Sequence, residues 1–208
     1  MTIGWLAGTR RLWDTGEDEQ VAAWAMFAPL RDALGLGSSM TARTTYYRRG
    51  FAFDDGTAGV FWDGIGRAAG GVMLTMRQTA FERLGEAAWP LVVGLTAGLH
   101  VSRLDLAADV AADASLTPVE LYGLLAAARS RSRREHQVLT VDRSGGEKLT
   151  LGSRASESYL RVYVKGERIR HELELKQGAA GTAMARLLAG ESLADVWASG
   201  YGRVVRWL

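Results

Sequence analysis

The chain has 208 residues, 48% of them hydrophobic, with 25 Lys and Arg against 23 Asp and Glu for a net charge of +2. That length supports one substantial domain, or a domain of two similar halves, and a full core. With no cysteine, disulfides, thiolate metal sites and cysteine nucleophiles are excluded. The three histidines, His100, His136 and His171, follow no metal-ligand spacing. No leader-like segment and no apolar run of about 20 residues is present, so a cytoplasmic location without a membrane partner is expected.

In chain order, residues 3–9 read as a strand with Trp5 as its core anchor. Asp14 or Thr15 would cap a helix from about Glu17. Val21, Trp24, Ala25 and Ala28 form its apolar stripe, and Pro29 should break or kink it before Leu34. Residues 41–53 read as a strand carrying Tyr46-Tyr47 and Arg48-Arg49, and Asp54-Asp55-Gly56 turns the chain into a return strand at 59–63. Exposed aromatic and basic residues on such a hairpin suit a nucleic-acid strand, because bases stack on rings and guanidiniums meet phosphates; packing at a sheet edge is the alternative.

A further strand is expected at 72–77, then short helices at 79–84 and 87–95. Thr117-Pro118-Val119-Glu120 is a helix start, with Thr117 as cap, proline at the first helical position and Glu120 closing a capping box. Arg129, Arg131, Arg133 and Arg134 follow that helix, interleaved with serines. They read as DNA-backbone contacts, or as a solvated helix end whose cations complement the dipole. A hairpin at 137–151 feeds the central stretch, and helices at 179–189 and 193–198 close the chain.

The central stretch, residues 148–176, alternates with a period of two. One strand puts Tyr159, Arg161, Tyr163 and Lys165 on one side and Leu160, Val162 and Val164 on the other. The next puts Arg170, Glu172, Glu174 and Lys176 opposite His171, Leu173 and Leu175, with residues 166–168 as a tight turn between them. An earlier strand places Arg103, Asp105 and Asp109 on one face and Leu104, Leu106 and Ala108 on the other. If the three strands share a sheet with their apolar sides on one core, carboxylates, tyrosines and cations converge on the opposite face. Salt-bridged pairs on a solvated face are the plainer alternative.

Adjacent carboxylates repel unless a cation sits between them. Asp105 and Glu172, then Glu174 and Asp109, are therefore candidate ligands for Mg²⁺ or Mn²⁺, the hard ions suited to oxygen donors. Neighbouring Lys and Arg could neutralise them instead. Together the elements predict an α+β fold, a mostly antiparallel sheet with helices on its apolar face, over 1–208. Strand, helix and hairpin occur twice, which suggests two similar halves although no residue-level repeat is visible.

Four pieces resemble the replication initiation factor family, the rolling-circle initiators of plasmids, filamentous phages and integrative elements. They are Arg103-Leu-Asp105-Leu-Ala-Ala-Asp109, Gly152-Ser-Arg154-Ala-Ser156, Tyr159-Leu-Arg161-Val-Tyr163-Val-Lys165 and Arg170-His-Glu172-Leu-Glu174. The resemblance implies a metal-dependent enzyme that nicks and rejoins DNA at a replication origin through a covalent 5′-phosphotyrosine. Tyr163, at the family's second motif tyrosine, is the implied nucleophile, with Lys165 stabilising the phenolate and Tyr159 as the alternative. Arg154 and Arg161 would hold phosphates of the scissile strand, or instead pair with Glu172 or Glu174 across the hairpin, with Arg103, Arg48, Arg49, Arg131, Arg133 and Arg134 as further DNA contacts. Implied partners are single-stranded or melted origin DNA, a helicase, a polymerase and a second copy in a homodimer.

A conjugative relaxase of an integrative element would share this chemistry, and a non-cutting origin-binding protein would share only the fold. The chain departs from the family at Gly4, where relatives often carry an acidic residue. Family members also commonly run on past the position of Leu208.

Overall fold

Ten strands and six α-helices form in the computed structural model, which describes residues 1–12, 15–35, 38–39, 42–128, 137–141 and 145–205. The strands are β1 (Thr2–Arg11), β2 (Ser38–Ser39), β3 (Tyr47–Phe53), β4 (Ala58–Gly64), β5 (Gly71–Arg77), β6 (His100–Ala111), β7 (Gln137–Val141), β8 (Glu147–Leu151), β9 (Ser158–Lys165) and β10 (Arg168–Lys176). The helices are α1 (Glu19–Leu34), α2 (Gln78–Leu84), α3 (Ala88–Thr96), α4 (Pro118–Ala128), α5 (Gln177–Leu188) and α6 (Leu193–Val205). The expected α+β class, with antiparallel strands, is what forms.

The chain divides into two compact units: Trp5–Arg103, and Leu104–Leu208 together with Met1–Gly4. In the first, the strand order is β2-β3-β4-β5-β1. Helix α1 lies on β3, β4 and β5, with α2 and α3 beside it. Phe27 on α1 meets Phe51 and Phe53 of β3, and Phe51 meets Trp62 of β4 at 4.5 Å between ring centroids. These four aromatic side chains are almost fully buried and anchor this core.

In the second unit the order is β6-β10-β9-β8-β7, with α4 against β7, β8 and β9, and α5 and α6 against β10 and β9. Leu149, Leu160, Val162, Leu173 and Leu175 point to the helices and are buried. Gly200 of α6 lets that helix approach closely, since a Cβ there would meet Leu173 Cδ2 at 2.4 Å. Thr117 and Glu120 form the expected capping box: Thr117 N–H donates to Glu120 Oε2 (2.8 Å) and Glu120 N–H to Thr117 Oγ1 (3.2 Å). The β9–β10 turn is two residues, Gly166 (φ 61°) and Glu167, so Arg168 already belongs to the strand.

The two units repeat one topology. Each runs strand, helix, a four-strand meander whose last strand returns beside the first, and then two helices.

Three local expectations differ. Helix α1 is capped by Asp18, whose carboxylate accepts from the N–H groups of Gln20 and Val21, and it runs through Pro29 to Gly35. Its buried stripe is Ala22, Ala23, Met26, Phe27 and Leu30, whereas Val21 is 62% exposed. The later start shifts the phase of the stripe, and the phase with Phe27 and Leu30 buries more apolar area. Trp5 is not a core anchor: it is half-exposed, with the guanidinium carbons of Arg77 and Arg103 at 5.5 and 5.4 Å from its ring centroid.

Candidate active site

Antiparallel register builds the site from β9 and β10. Arg161 stands opposite Glu172, Tyr163 opposite Arg170 and Tyr159 opposite Glu174, on the face that points away from Leu173 and the helices. Residue 105 of β6 and Gly4 of β1 belong to the same unit.

Arg161 is the hub. Its Nη2 lies 2.9 Å from Glu172 Oε1, 3.2 Å from Glu174 Oε2 and 3.4 Å from Asp105 Oδ2. Glu174 also meets Lys176 Nζ at 2.9 Å. Asp105 is 1% exposed, so its charge depends on such partners. Of the four candidate carboxylates, Asp105, Glu172 and Glu174 converge, and the nitrogen of a guanidinium occupies their common point. Gly4 faces the same group: a Cβ there would lie 3.6 Å from Asp105 Cβ and 3.8 Å from Glu172 Oε1.

The Tyr163 hydroxyl donates to Glu172 Oε2 at 2.9 Å. Burial first, then the Glu172 charge, raises the phenol above its ordinary value, while Arg170 acts to lower it. Arg170, itself 4% exposed, grips Asp109 through two parallel hydrogen bonds, Nε to Oδ1 at 2.6 Å and Nη2 to Oδ2 at 2.5 Å. That pair holds the Asp109 carboxyl below the usual carboxylate range and the Arg170 guanidinium above its own.

Register sets Arg170 opposite Tyr163, where its charge acts to lower the phenol, and leaves Lys165, the cation expected beside Tyr163, exposed at the turn opposite Arg168. Asp109 is held by Arg170 rather than gathered around Arg161. Arg170 was on the right face in the sequence pattern, but only the pairing of β9 with β10 reveals its neighbour.

The remaining candidates are spread out. Tyr159 is buried at 5% exposure, and Arg154 is exposed in the β8–β9 loop, its carbonyl accepting from Lys176 Nζ. Arg48 and Arg49 are exposed on β3, 3.8 and 3.6 Å from the carboxylate of Asp63. Arg103 is half-buried beside Trp5. Arg131, Arg133 and Arg134 lie outside the described residues. His171 is turned to the helices, with Nε2 3.1 Å from Ser115 Oγ and its ring beside Tyr201, and burial lowers its pKa.

Among the described residues no three His, Asp or Glu side chains are arranged to hold a metal ion as they stand. Asp105, Glu172 and Glu174 offer oxygen donors of the kind Mg²⁺ or Mn²⁺ takes, and Arg161 Nη2 occupies the point between them. An ion and this position of Arg161 therefore exclude one another.

No family model and no curated protein matches the sequence. Among solved structures, the rolling circle replication initiator protein from Geobacillus stearothermophilus superimposes with a TM-score of 0.66 at 19% identity, over 97% of this chain and 83% of that one. No helix among the described residues is long and apolar enough to cross a membrane. The superposition shows that the chain has the fold of that rolling circle replication initiator protein.

Proposed function

We propose that the chain initiates rolling-circle replication by nicking and rejoining a DNA strand, with Tyr163 as nucleophile. The observation that carries this is the hydrogen bond from Tyr163 to Glu172, a carboxylate gathered with Asp105 and Glu174 around Arg161, on an initiator fold. The Tyr163 hydroxyl oxygen attacks a phosphodiester phosphorus while its proton passes to Glu172 Oε2. The bond from phosphorus to the 3′ oxygen breaks, and that oxygen takes up a proton from water to leave a free 3′ hydroxyl. The 5′ phosphate stays on Tyr163, which conserves the bond energy for rejoining.

Arg170, opposite Tyr163, offsets charge on the phenolate and on the phosphorane. Asp105, Glu172 and Glu174 would hold Mg²⁺ or Mn²⁺ once Arg161 turns away from them, and the ion would supply polarisation of the scissile phosphate. Arg161 released in this way is placed to hold that phosphate, with Arg154, Arg48 and Arg49 contacting the strand further along. Origin DNA, a helicase, a polymerase and a second copy of the chain are the partners this role calls for.

The test is incubation with a labelled single-stranded oligonucleotide library, with Mn²⁺ or with chelator, comparing wild type, Tyr163→Phe and Tyr159→Phe. A metal-dependent covalent adduct lost only in Tyr163→Phe is expected. Loss in Tyr159→Phe alone would move the nucleophile. No adduct under any condition, with DNA binding intact, would leave a non-cutting origin-binding protein.

A further inference from the structure

The repeated topology permits a position-by-position comparison of the two units, and the sequences agree where the topology does. Strand β5 ends Leu74-Thr75-Met76-Arg77 and passes directly into α2 at Gln78; β10 ends Leu173-Glu174-Leu175-Lys176 and passes directly into α5 at Gln177. Leu74 pairs across the ladder with Val60, and Leu173 with Leu160. Phe61 and Met73 therefore hold the places of Arg161 and Glu172. In the first strands, Trp5-Leu6-Ala7-Gly8-Thr9 matches Asp105-Leu106-Ala107-Ala108-Asp109, with the Leu and Ala of both segments buried.

The comparison shows a consistent exchange. Where one unit has Asp105, Glu172 and Glu174, the other has Trp5, Met73 and Thr75, so its acids are gone. The cation at the strand end is kept, as Arg77 for Lys176. Phe61 fills the space where the hub arginine would stand and occupies the room left by Gly50 and Gly59, where a Cβ would come within 2.4 and 2.8 Å of its ring. These positions carry no acid, and beside them the guanidinium carbons of Arg77 and Arg103 lie 5.5 and 5.4 Å from the centroid of the Trp5 ring, with Arg77 exposed.

We infer that the Trp5–Arg103 unit is a second, non-cutting strand site, in which Arg77 and Arg103 bind successive phosphates of single-stranded DNA and Trp5 orders them and takes a base against its ring. The inference rests on the reading of the chain as a DNA-binding protein. Charge favours this occupant: planar guanidiniums match phosphate oxygens, and an aromatic face accepts any base. The half-exposed Trp5 ring with its two cations stands apart from the core aromatics of this unit, such as Phe27 and Phe51.

The test uses the full chain carrying Tyr163→Phe, so that binding is read without cutting, and follows the anisotropy of a fluorescein-labelled single-stranded oligonucleotide over a range of salt. Arg77→Gln is expected to weaken binding about 3- to 10-fold and to make the slope of log K against log salt shallower by about 0.7, the loss of one phosphate contact. Arg77→Lys should restore the slope, and Trp5→Phe should retain more affinity than Trp5→Ala. Unchanged affinity and slope in Arg77→Gln, with an unchanged melting temperature, would overturn the inference. The two readings fail separately. No adduct from wild type together with weakened binding in Arg77→Gln would reject cutting and keep the second site, whereas an adduct from wild type with unchanged binding would do the reverse.

Discussion

Replacing Arg161 with methionine removes the charge at the centre of the carboxylate group while keeping much of its side-chain volume. Arg161 is 18% exposed, and its partners Asp105, Glu172 and Glu174 are 2%, 15% and 10% exposed, so solvent screens these contacts poorly. At an effective dielectric of about 20, one such pair with charge centres near 4 Å is worth about 4 kcal/mol before desolvation. Stripping one partner from a buried ion pair typically costs ~3–5 kcal/mol, because the charges left behind stay buried. The same figure is expected for Arg161→Met at neutral pH.

For a chain of this length that corresponds to a melting temperature lower by roughly 6–20 °C. Mn²⁺ should raise the melting temperature of the variant more than that of wild type, because the ion takes the vacated position. Thermal melts with and without Mn²⁺ measure both effects. A variant that melts within about 2 °C of wild type at pH 7 would refute the hub role of Arg161.

Further outcomes follow from the same geometry. Since burial and Glu172 raise the Tyr163 phenol while Glu172 takes its proton during attack, adduct formation should proceed at neutral pH without a tenfold gain per pH unit; a log-linear climb towards about 10 would show attack by preformed phenolate instead. Glu172→Gln should lower that phenol, visible in an ultraviolet phenolate titration, and yet slow adduct formation, since the proton acceptor is lost. Asp109 has a depressed folded value, so its contribution is full above about 4, the unfolded carboxylate value, and is lost as pH falls through the lower folded value. Asp109→Asn should cost about 1.5–3 kcal/mol at pH 7, read by denaturant unfolding, and almost nothing in strong acid. Gly64→Ala would place a Cβ 2.0 Å from the Ala68 carbonyl oxygen and should destabilise by about 1–3 kcal/mol, measured in the same way.

Alternation along β6, β9 and β10 made the polar face legible in the sequence, because a strand with one dry side declares its wet side as well. The capping box at Thr117 was legible for a similar reason, being a contact three residues long. What stayed hidden was register. Which side chain stands opposite Tyr163 depends on a two-residue turn whose exact length the residues 166–168 left open, so Arg170 was passed over for Lys165. The same holds for the phase of α1: several i, i+3, i+4 stripes fit its composition, and the cap at Asp18 chooses among them. Trp5 misled because a tryptophan is usually a core residue, and only the neighbouring β5 and β6 segments supply the two arginines that stabilise it at the surface. The repeat was legible as a recurring order of elements, while its residue-level match was not, since the matched residues are short runs aligned by cross-strand pairing.

Gly4 lies with residues 1–3 in the unit that otherwise runs from Leu104 to Leu208, and it sits against Asp105 and Glu172. Joining those positions confines a loop of about 100 residues, which costs about 2 kcal/mol more in chain entropy than a ten-residue loop. The carboxylate group thus combines contacts of two ranges: Arg161 and Glu172 meet within one hairpin, while residues 2–4 reach the group only across that long loop. A loop already this long is insensitive to further length, since doubling it would add only about 0.6 kcal/mol.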